Sequence, residues 1–473
     1  MRRQFSKMPD KRKNTQEKTE LSRRDFFQSA AATGVGLFFA GKAFAQNESS
    51  AAPSAAEIAD ASAAATGPKP DELRVAIIGP GSQGRMLMMN ALKIPAIRFV
   101  AVCDIWPYNQ LYSSNILKKY DQPCNVYTDY QEMLAQEKDL DAVIVATPDW
   151  VHAEHAVACL KAGLHVYCEK EMSRNLENAK EMVLAARETG KLLQIGHQRR
   201  SNPRYLHAMK LIEKDKVLGR ITHVQGQWNR PVTEDLGWPK GKELDQATLE
   251  KYGYESMHQF ANWRWFKKYS GGPISDLGSH QVDIFNWFLK TTPSSVQATG
   301  GLDFYTNREW YDNVLTLYDY KSADGPVRGF YQVMNTCSYG GFYELFLGTE
   351  GALMISEDER RGFMFREVAA KKREWEDEAE KVENMGQEAI ALKIGETLKA
   401  DGTKSAEAEA LMAEAQKPTL QLHLENFFNA IRNGTPLTSP AEIGYETAVC
   451  VLRVNEALEK GTRVDFKPDD FKV

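Results

Sequence analysis

The chain has no C-x-x-C pair and no cluster of cysteine with histidine; its six cysteines stand apart at positions 103, 124, 159, 168, 337 and 450. That spacing excludes a zinc ribbon and offers no disulfide framework, so no metal site is expected and the thiols read as small buried hydrophobes. Positive charge is not in surplus either. Lysine and arginine number 59 against 64 acidic residues, a formal net charge of −5, which gives no sign of a nucleic-acid partner. Nor is there an apolar run near the ~20 residues a membrane span needs; Ala30 to Ala40 falls well short. What remains is a 473-residue chain, 42% hydrophobic and 10% aromatic, enough for two or three domains with a sizeable core.

Residues 1–45 read as an address rather than as structure. Basic residues from Arg2 to Lys18 lead into Ser22-Arg23-Arg24-Asp25-Phe26-Phe27, and Ala43-Phe44-Ala45 is an A-x-A-type cleavage site. Paired arginines followed by two phenylalanines resemble a twin-arginine export signal. That predicts a periplasmic protein with the twin-arginine translocase as its partner during export. Residues 46–70, rich in alanine and serine, read as a flexible linker.

Leu73–Gly84, L-R-V-A-I-I-G-P-G-S-Q-G, reads as a buried strand that breaks into G-x-G-x-x-G at Gly79, Gly81 and Gly84 and then becomes a helix. The first glycine permits a tight turn, the second lets a pyrophosphate approach the backbone past Ser82 and Gln83, and the third lets helix pack on strand. Asp104 follows ~20 residues later, at the end of a second apolar strand, where an acid holds the hydroxyls of an adenosine ribose. Apolar strands alternate with helical stretches as far as Leu192–Ile195, so residues 71–198 are expected to form a doubly wound (Rossmann) α/β domain. The strand ends carry Gly79, Asp104, Thr147-Pro148, Glu169-Lys170 and Gly196-His197-Gln198, outlining one crevice. A partly desolvated Lys170 there can exchange protons with a substrate; a surface lysine paired with Glu169 or Glu171 is the other reading.

Residues 199–473 read as an α+β domain with an open, mostly antiparallel sheet, from alternating stretches at 221–229, 296–304, 313–320, 328–336 and Tyr343–Leu347. In Gly271–Leu289, a helix starting near Asp276 places Asp276, His280 and Asp283 on one face. An imidazole there suits general-base work; a capping aspartate beside a satisfied histidine is the alternative. Gly196–Arg200 and Asn262–Phe266 mix donors with aromatic faces, as sugar contacts or as a packing cluster. Residues 357–418, dominated by Lys, Glu and Ala, read as a solvated helical insertion, and 421–432 and 444–459 as helices that close the fold.

The run from Ala146 to Lys170, A-T-P-D-W-V-H-A-E-H-A-V-A-C-L-K-A-G-L-H-V-Y-C-E-K, resembles the Gfo/Idh/MocA oxidoreductase family. That family carries T-P-x-x-x-H, an alanine-rich helix, A-G-x-H-V and E-K-P. Glu171 stands where the family usually has proline. From Gly271, G-G-x-x-x-D-x-G-x-H-x-x-D resembles its second signature. The resemblance implies NAD(P)-dependent redox chemistry on sugars or cyclitols, with Lys170, Asp276 and His280 as the catalytic group. It implies a cofactor held by Gly79, Gly81, Ser82, Gln83, Gly84, Asp104, Thr147, Pro148, His152, Glu169 and Gln198, and a substrate met by Arg199, Trp263, Arg264 and Asp283. Asp104 favours NAD over NADP, because a carboxylate repels a 2′-phosphate and residues 105–108 supply no cation to offset it. Export of a folded protein implies a tightly bound cofactor, regenerated in place by a second half-reaction. That reaction is either sugar-to-sugar redox or glycoside cleavage through transient oxidation and elimination. A sugar-binding protein without turnover is the remaining alternative. A homo-dimer or homo-tetramer through the outer sheet face is also implied.

Overall fold

The computed structural model describes residues 72–377, 379–384, 386–392 and 405–473. The expected signal peptide and linker lie outside the described residues. No helix among the described residues is long and apolar enough to cross a membrane.

Six parallel strands build the first sheet: β1 (Leu73–Ile78), β2 (Ile97–Cys103), β3 (Asn125–Tyr127), β4 (Ala142–Val145), β5 (His165–Cys168) and β6 (Leu193–Ile195), in the order β3-β2-β1-β4-β5-β6. Their apolar runs are uninterrupted because both faces are covered. Alternate side chains go to opposite faces. Val75 and Ile77 point into one core, with Leu87 and Met88 of the helix Ser82–Ala91. Ala76 and Ile78 point into the other, with Ala156 and Leu160 of the helix His152–Lys161. Strand β3 gives no readable signal in sequence; it is three residues long and two of them are exposed.

The helix Thr419–Asn433 is far from this sheet in sequence yet covers it. Leu424, Phe427 and Phe428 complete the core around Val75, Ile77, Phe99 and Ile144. The N-terminal domain therefore closes only when the C-terminal segment returns to it.

The second sheet has ten strands: β7 (Ile221–Asn229), β8 (Pro293–Gly301), β9 (Asn313–Ser322), β10 (Gly325–Met334), β11 (Phe342–Gly348), β12 (Gly351–Ile355), β13 (Phe363–Arg366), β14 (Lys381–Asn384), β15 (Gln387–Ala391) and β16 (Val464–Asp465). Their order is β14-β15-β13-β12-β11-β7-β10-β9-β8-β16. All neighbours are antiparallel except β7 and β10. The helices Ser279–Leu289 and Ala441–Lys460 fill the inner face, where Phe285 and Phe288 meet Phe346 at ring-centroid distances of 6.1 and 4.8 Å. On the outer face Leu315 and Leu317 are exposed.

Two expectations need correction. Strand β8 begins at Pro293, three residues before the expected 296, because its first residues pair with β9 despite the proline. Residues 357–418 are not a helical insertion throughout. Strands β13, β14 and β15 extend the sheet, and among the described residues the α-helical part is Ser405–Ala415. The charge run misleads because β14 is the edge strand: Lys381 and Glu383 lie on its exposed side, where charge discourages edge-to-edge pairing.

Truncating Phe427 to alanine tests how far the N-terminal sheet depends on the returning helix. Phe427 is fully buried, so F427A is expected to cost ~3–5 kcal/mol. In denaturant melts the loss should appear in the unfolding of the N-terminal domain; an unchanged midpoint would refute the dependence.

Candidate active site

One continuous cleft of about 2390 Å³ runs along the carboxyl ends of the parallel strands and up against the second sheet. The glycine turn forms its floor. Gly79 has φ +81°, and a Cβ there would lie 2.6 Å from the Thr147 methyl group. At Gly81 nothing lies within 4 Å of the Cβ position, leaving open space through which a phosphate can approach the backbone. A Cβ on Gly84 would collide with the Gly79 carbonyl oxygen, so this glycine serves close packing and does not line the cleft. No side chain caps the N-terminus of Ser82–Ala91, so its first amides face the space above Gly81 as an anion cradle. The turn fits a dinucleotide pyrophosphate.

Asp104, Ser82, Gln83, Thr147, Pro148, Glu169 and Gln198 all line this cleft. Gln83 Nε2 donates to Glu169 Oε1 at 3.1 Å. Asp104 accepts from the Trp106 amide at 2.8 Å and from Asn109 Nδ2 at 3.0 Å, while burial pushes its carboxyl up to about 6. A cation does stand close by. Arg85, from the glycine-turn helix, donates to Asn109 Oδ1 at 3.0 Å and lies over the Tyr112 ring. Inspecting only the residues adjacent to Asp104 in sequence misses it.

The 230–270 segment of the second domain roofs the cofactor end. The Trp106 indole, beyond β2, donates to the Lys242 carbonyl at 2.6 Å and meets Phe260 edge-on at 5.7 Å. Trp150, beyond β4, packs against Tyr254 and Tyr269 at 5.8 and 5.5 Å. Because β1 lies between β2 and β4, the segment is anchored on both sides of the glycine turn.

At the far end of the strand row, Lys170 follows β5. Its Nζ donates to the Asp276 carbonyl at 2.5 Å and to Asp276 Oδ1 at 3.3 Å. The Lys170–Glu171 peptide bond is cis. Asp276 sits in a π-helical turn, Ile274–Gly278, that leads into Ser279–Leu289; such turns recur at functional sites. Arg264 Nε reaches Asp276 Oδ1 at 3.2 Å and Arg230 Nη1 reaches Oδ2 at 4.0 Å. Burial pushes the Asp276 carboxyl up, but Lys170, Arg264 and Arg230 outweigh it and hold the group well below the usual carboxylate range. His280 is buried against Trp228, with ring centroids 5.4 Å apart, and its Nδ1 finds no hydrogen-bond partner among the described residues. Burial first, then the charge of Lys170 and Arg199, drive this imidazole well below its ordinary value, so it is neutral at pH 7. Trp263 and Arg264 also line the cleft, with the guanidinium over the indole at 4.3 Å.

Three expected contacts lie elsewhere. His152 is sealed inside, Nδ1 2.8 Å from the Glu171 carbonyl and Nε2 2.6 Å from the Thr147 carbonyl. It ties together two strand ends instead of touching a cofactor, and burial pushes it down to about 4. Arg199 is fully desolvated and bonded to Glu344 and Glu357, behind Trp228. Asp283 grips Arg200 at 2.7–2.9 Å. Three residues of helix leave it about 60° round from His280, enough to turn it from the cleft into the core. Sequence reasoning missed Asp149, Trp228, Arg230 and the Trp106 anchor. Only Asp149, directly after Thr147-Pro148, stood beside a recognised motif.

Comparisons with known proteins follow the same division. A family model described as "Oxidoreductase family, NAD-binding Rossmann fold" matches residues 73–197, and the GFO/IDH/MocA C-terminal domain matches 205–354, together more than half of the chain. A 2,7-anhydro-N-acetylneuraminate hydratase of Mediterraneibacter gnavus is 27% identical over 59% of this chain and 66% of the relative, just under two thirds of its length. The scyllo-inositol 2-dehydrogenase (NAD(+)) of Bacillus subtilis is 25% identical over 60% of this chain and 74% of the relative. Among solved structures, the Bordetella pertussis WlbA dehydrogenase in complex with NADH and UDP-GlcNAcA superposes with a TM-score of 0.61. It is 19% identical and covers 84% of this chain and all of its own, a likeness of fold.

Cofactor titration tests the role of Asp104. NAD should bind more tightly than NADP above pH 7, and the difference should narrow as pH falls through about 6, where the carboxyl takes its proton and ceases to repel a 2′-phosphate. D104A should weaken NAD by ~10–100-fold. Equal affinity for both cofactors in the wild type at pH 8 would refute the assignment.

Proposed function

The chain belongs to the Gfo/Idh/MocA oxidoreductase family, and on that premise we propose that it transfers a hydride between a secondary alcohol carbon of a sugar or glycoside and a tightly held nicotinamide cofactor. The observation that carries the reading is the meeting of Lys170, Asp276 and His280 in the cleft that begins at the glycine turn. When bound, the nicotinamide ring exchanges a hydride. His280, neutral and buried, takes the hydroxyl proton as the carbon is oxidised. Lys170 spends two of its three donors on Asp276 and presents the third to the substrate oxygen. Asp276, ionised and triply held, fixes that ammonium in place.

The lining supports a polyhydroxylated substrate. Trp263 brings an aromatic ring to the lining, and Arg264 and Arg230 bring forked donors, the combination that suits sugar C–H faces and hydroxyls. The relatives named for scyllo-inositol and an anhydro-sugar point the same way. The anchoring of the 230–270 segment on both sides of the glycine turn supports a resident cofactor. In this reading the enzyme is exported to the periplasm with its cofactor already bound, as Arg23-Arg24 and Ala43-Phe44-Ala45 suggest. The exposed Leu315 and Leu317 support a homo-oligomer through the outer sheet face.

Purified protein, desalted and then denatured, should release about one nicotinamide cofactor per chain by mass spectrometry, and W106A should lose most of it on desalting. Its absorbance near that of reduced nicotinamide should change when sugars are added. K170A and H280A should each lower that rate by ~10²–10⁴-fold. The His280 limb of the pH profile should stay flat well below pH 6.5, because the depressed imidazole remains a competent base there. Full turnover in both variants would overturn the reading.

A further inference from the structure

The cluster around Asp276 carries more positive charge than hydride exchange calls for. Lys170 Nζ stands 3.3 Å from Asp276 Oδ1, Arg264 Nε stands 3.2 Å from the same atom, and Arg230 Nη1 is 4.0 Å from Oδ2. All three cations line the cleft with His280. Oxidation of an alcohol needs a base for the hydroxyl proton and a donor for the oxygen, and His280 and Lys170 supply them. That step has no use for two guanidinium groups beyond keeping Asp276 ionised.

Nearby acids do not cancel the surplus. Burial first, then the Asp276 carboxylate, push Asp149 up to about 7, and burial pushes Glu171 up to about 8, so neither brings a full charge at neutral pH. Glu169 turns to the glycine-turn helix, accepting from Gln83 Nε2 at 3.1 Å. Counted with Asp276, it still leaves the three cations in excess. An oxidised nicotinamide ring carries a positive charge of its own and adds to that excess.

Arg230 is the cation least committed to Asp276. Arg264 donates to the carboxylate at 3.2 Å and lies over Trp263 at 4.3 Å. Arg230, at 4.0 Å, is drawn to Asp276 without reaching hydrogen-bond distance. Its place is fixed all the same. It directly follows β7, its amide donates to the Met334 carbonyl at 2.7 Å, and its guanidinium lies over the Trp228 ring at 5.2 Å. The same indole packs against His280, with ring centroids 5.4 Å apart. Burial first, with the help of Arg264 and against the Asp276 carboxylate, pulls Arg230 down to about 10. It stays charged at neutral pH, and an anion brought to it would offset both the burial and the repulsion.

We infer that the substrate is an acidic sugar, a uronic acid or its glycoside, whose carboxylate binds Arg230 while His280 and Lys170 hold the hydroxyl to be oxidised. This rests on the oxidoreductase reading and names the substrate class of that same site. A planar carboxylate matches the guanidinium fork with two parallel hydrogen bonds, and its single charge answers the surplus without reversing it.

The test sets the methyl glycosides of three uronic acids (gluco, galacto and manno) beside their uronamides, which have nearly the same shape without the charge. The neutral hexosides and their 6-sulfates are further arms, and turnover is read from the nicotinamide absorbance. For at least one configuration the acid should exceed its amide in kcat/KM by about 10–100-fold, mainly through KM. Arg230→Gln should raise KM for the acid about 10–100-fold more than KM for the amide, and Arg230→Lys should recover part of that difference. The wild-type comparison stands if a variant fails to fold. Amides or neutral hexosides turned over as well as the acids overturn the inference and leave the oxidoreductase reading standing. A 6-sulfate preferred over the acid overturns the carboxylate. A preference for the acid that Arg230→Gln leaves intact overturns the role of Arg230 alone. A panel in which no sugar alters the absorbance overturns both readings.

Discussion

A carboxylate taken out of water and kept ionised has to be met by cations, and Asp276 is met by three. Lys170 comes from the end of a parallel strand in the first domain, Arg230 from just beyond β7, and Arg264 from the roofing segment. Each would be costly to bury alone, and meeting at one carboxylate offsets part of that cost. The cluster therefore joins the two domains and the roof at one point. It also bears on its neighbours: burial first, then the surrounding positive charge, drives His280 well below its ordinary value, and burial first, then the Asp276 carboxylate, pushes Asp149 up to about 7.

The same geometry decides how the cofactor end is built. A glycine turn gives phosphate affinity but no enclosure, because its floor must stay open above Gly81. Enclosure comes from elsewhere in sequence, through Trp106 and Trp150 on the flanking strand ends, which the roofing segment grips. Aromatic side chains suit that task; each contributes a large buried face at the cost of few rotatable bonds, and their N–H groups find partners at the rim.

What the sequence disclosed follows from how local each signal is. The glycine turn, the strand ends and the Asp276–His280 spacing are written within a dozen residues, and the structure places Gly79, Gly81, Asp104, Lys170, Asp276 and His280 in one cleft. Packing partners distant along the chain left no such mark. Arg85 stands beside Asp104 through Asn109, although the four residues after Asp104 are uncharged. The helix Thr419–Asn433 completes the N-terminal core with nothing in its amphipathic pattern to say which sheet it covers. The charge-rich stretch after residue 357 read as helix because its composition hides the period-two alternation of an exposed edge strand.

The misplaced residues carry the more general lesson. Arg199 and Asp283 had the chemistry of ligand contacts and stand within a few residues of the site, yet both are spent inside the protein. Arg199, bonded to Glu344 and Glu357, lies 5.5 Å from the Trp228 ring, and Trp228 packs against His280 at a tilt. Arg200 holds Asp283, one turn beyond His280, and so pins the helix that carries the imidazole to the segment after β6. Breaking either buried pair would strand a charge at a cost of ~3–5 kcal/mol, so evidence of importance from substitution alone would not distinguish them from residues that touch substrate. Their task is to hold His280 and Asp276 at a fixed separation. A base that must meet a hydroxyl within ~3 Å loses its advantage if its helix shifts by even an ångström, so the ion pairs behind the site are as much a condition of its chemistry as the groups that face the cleft.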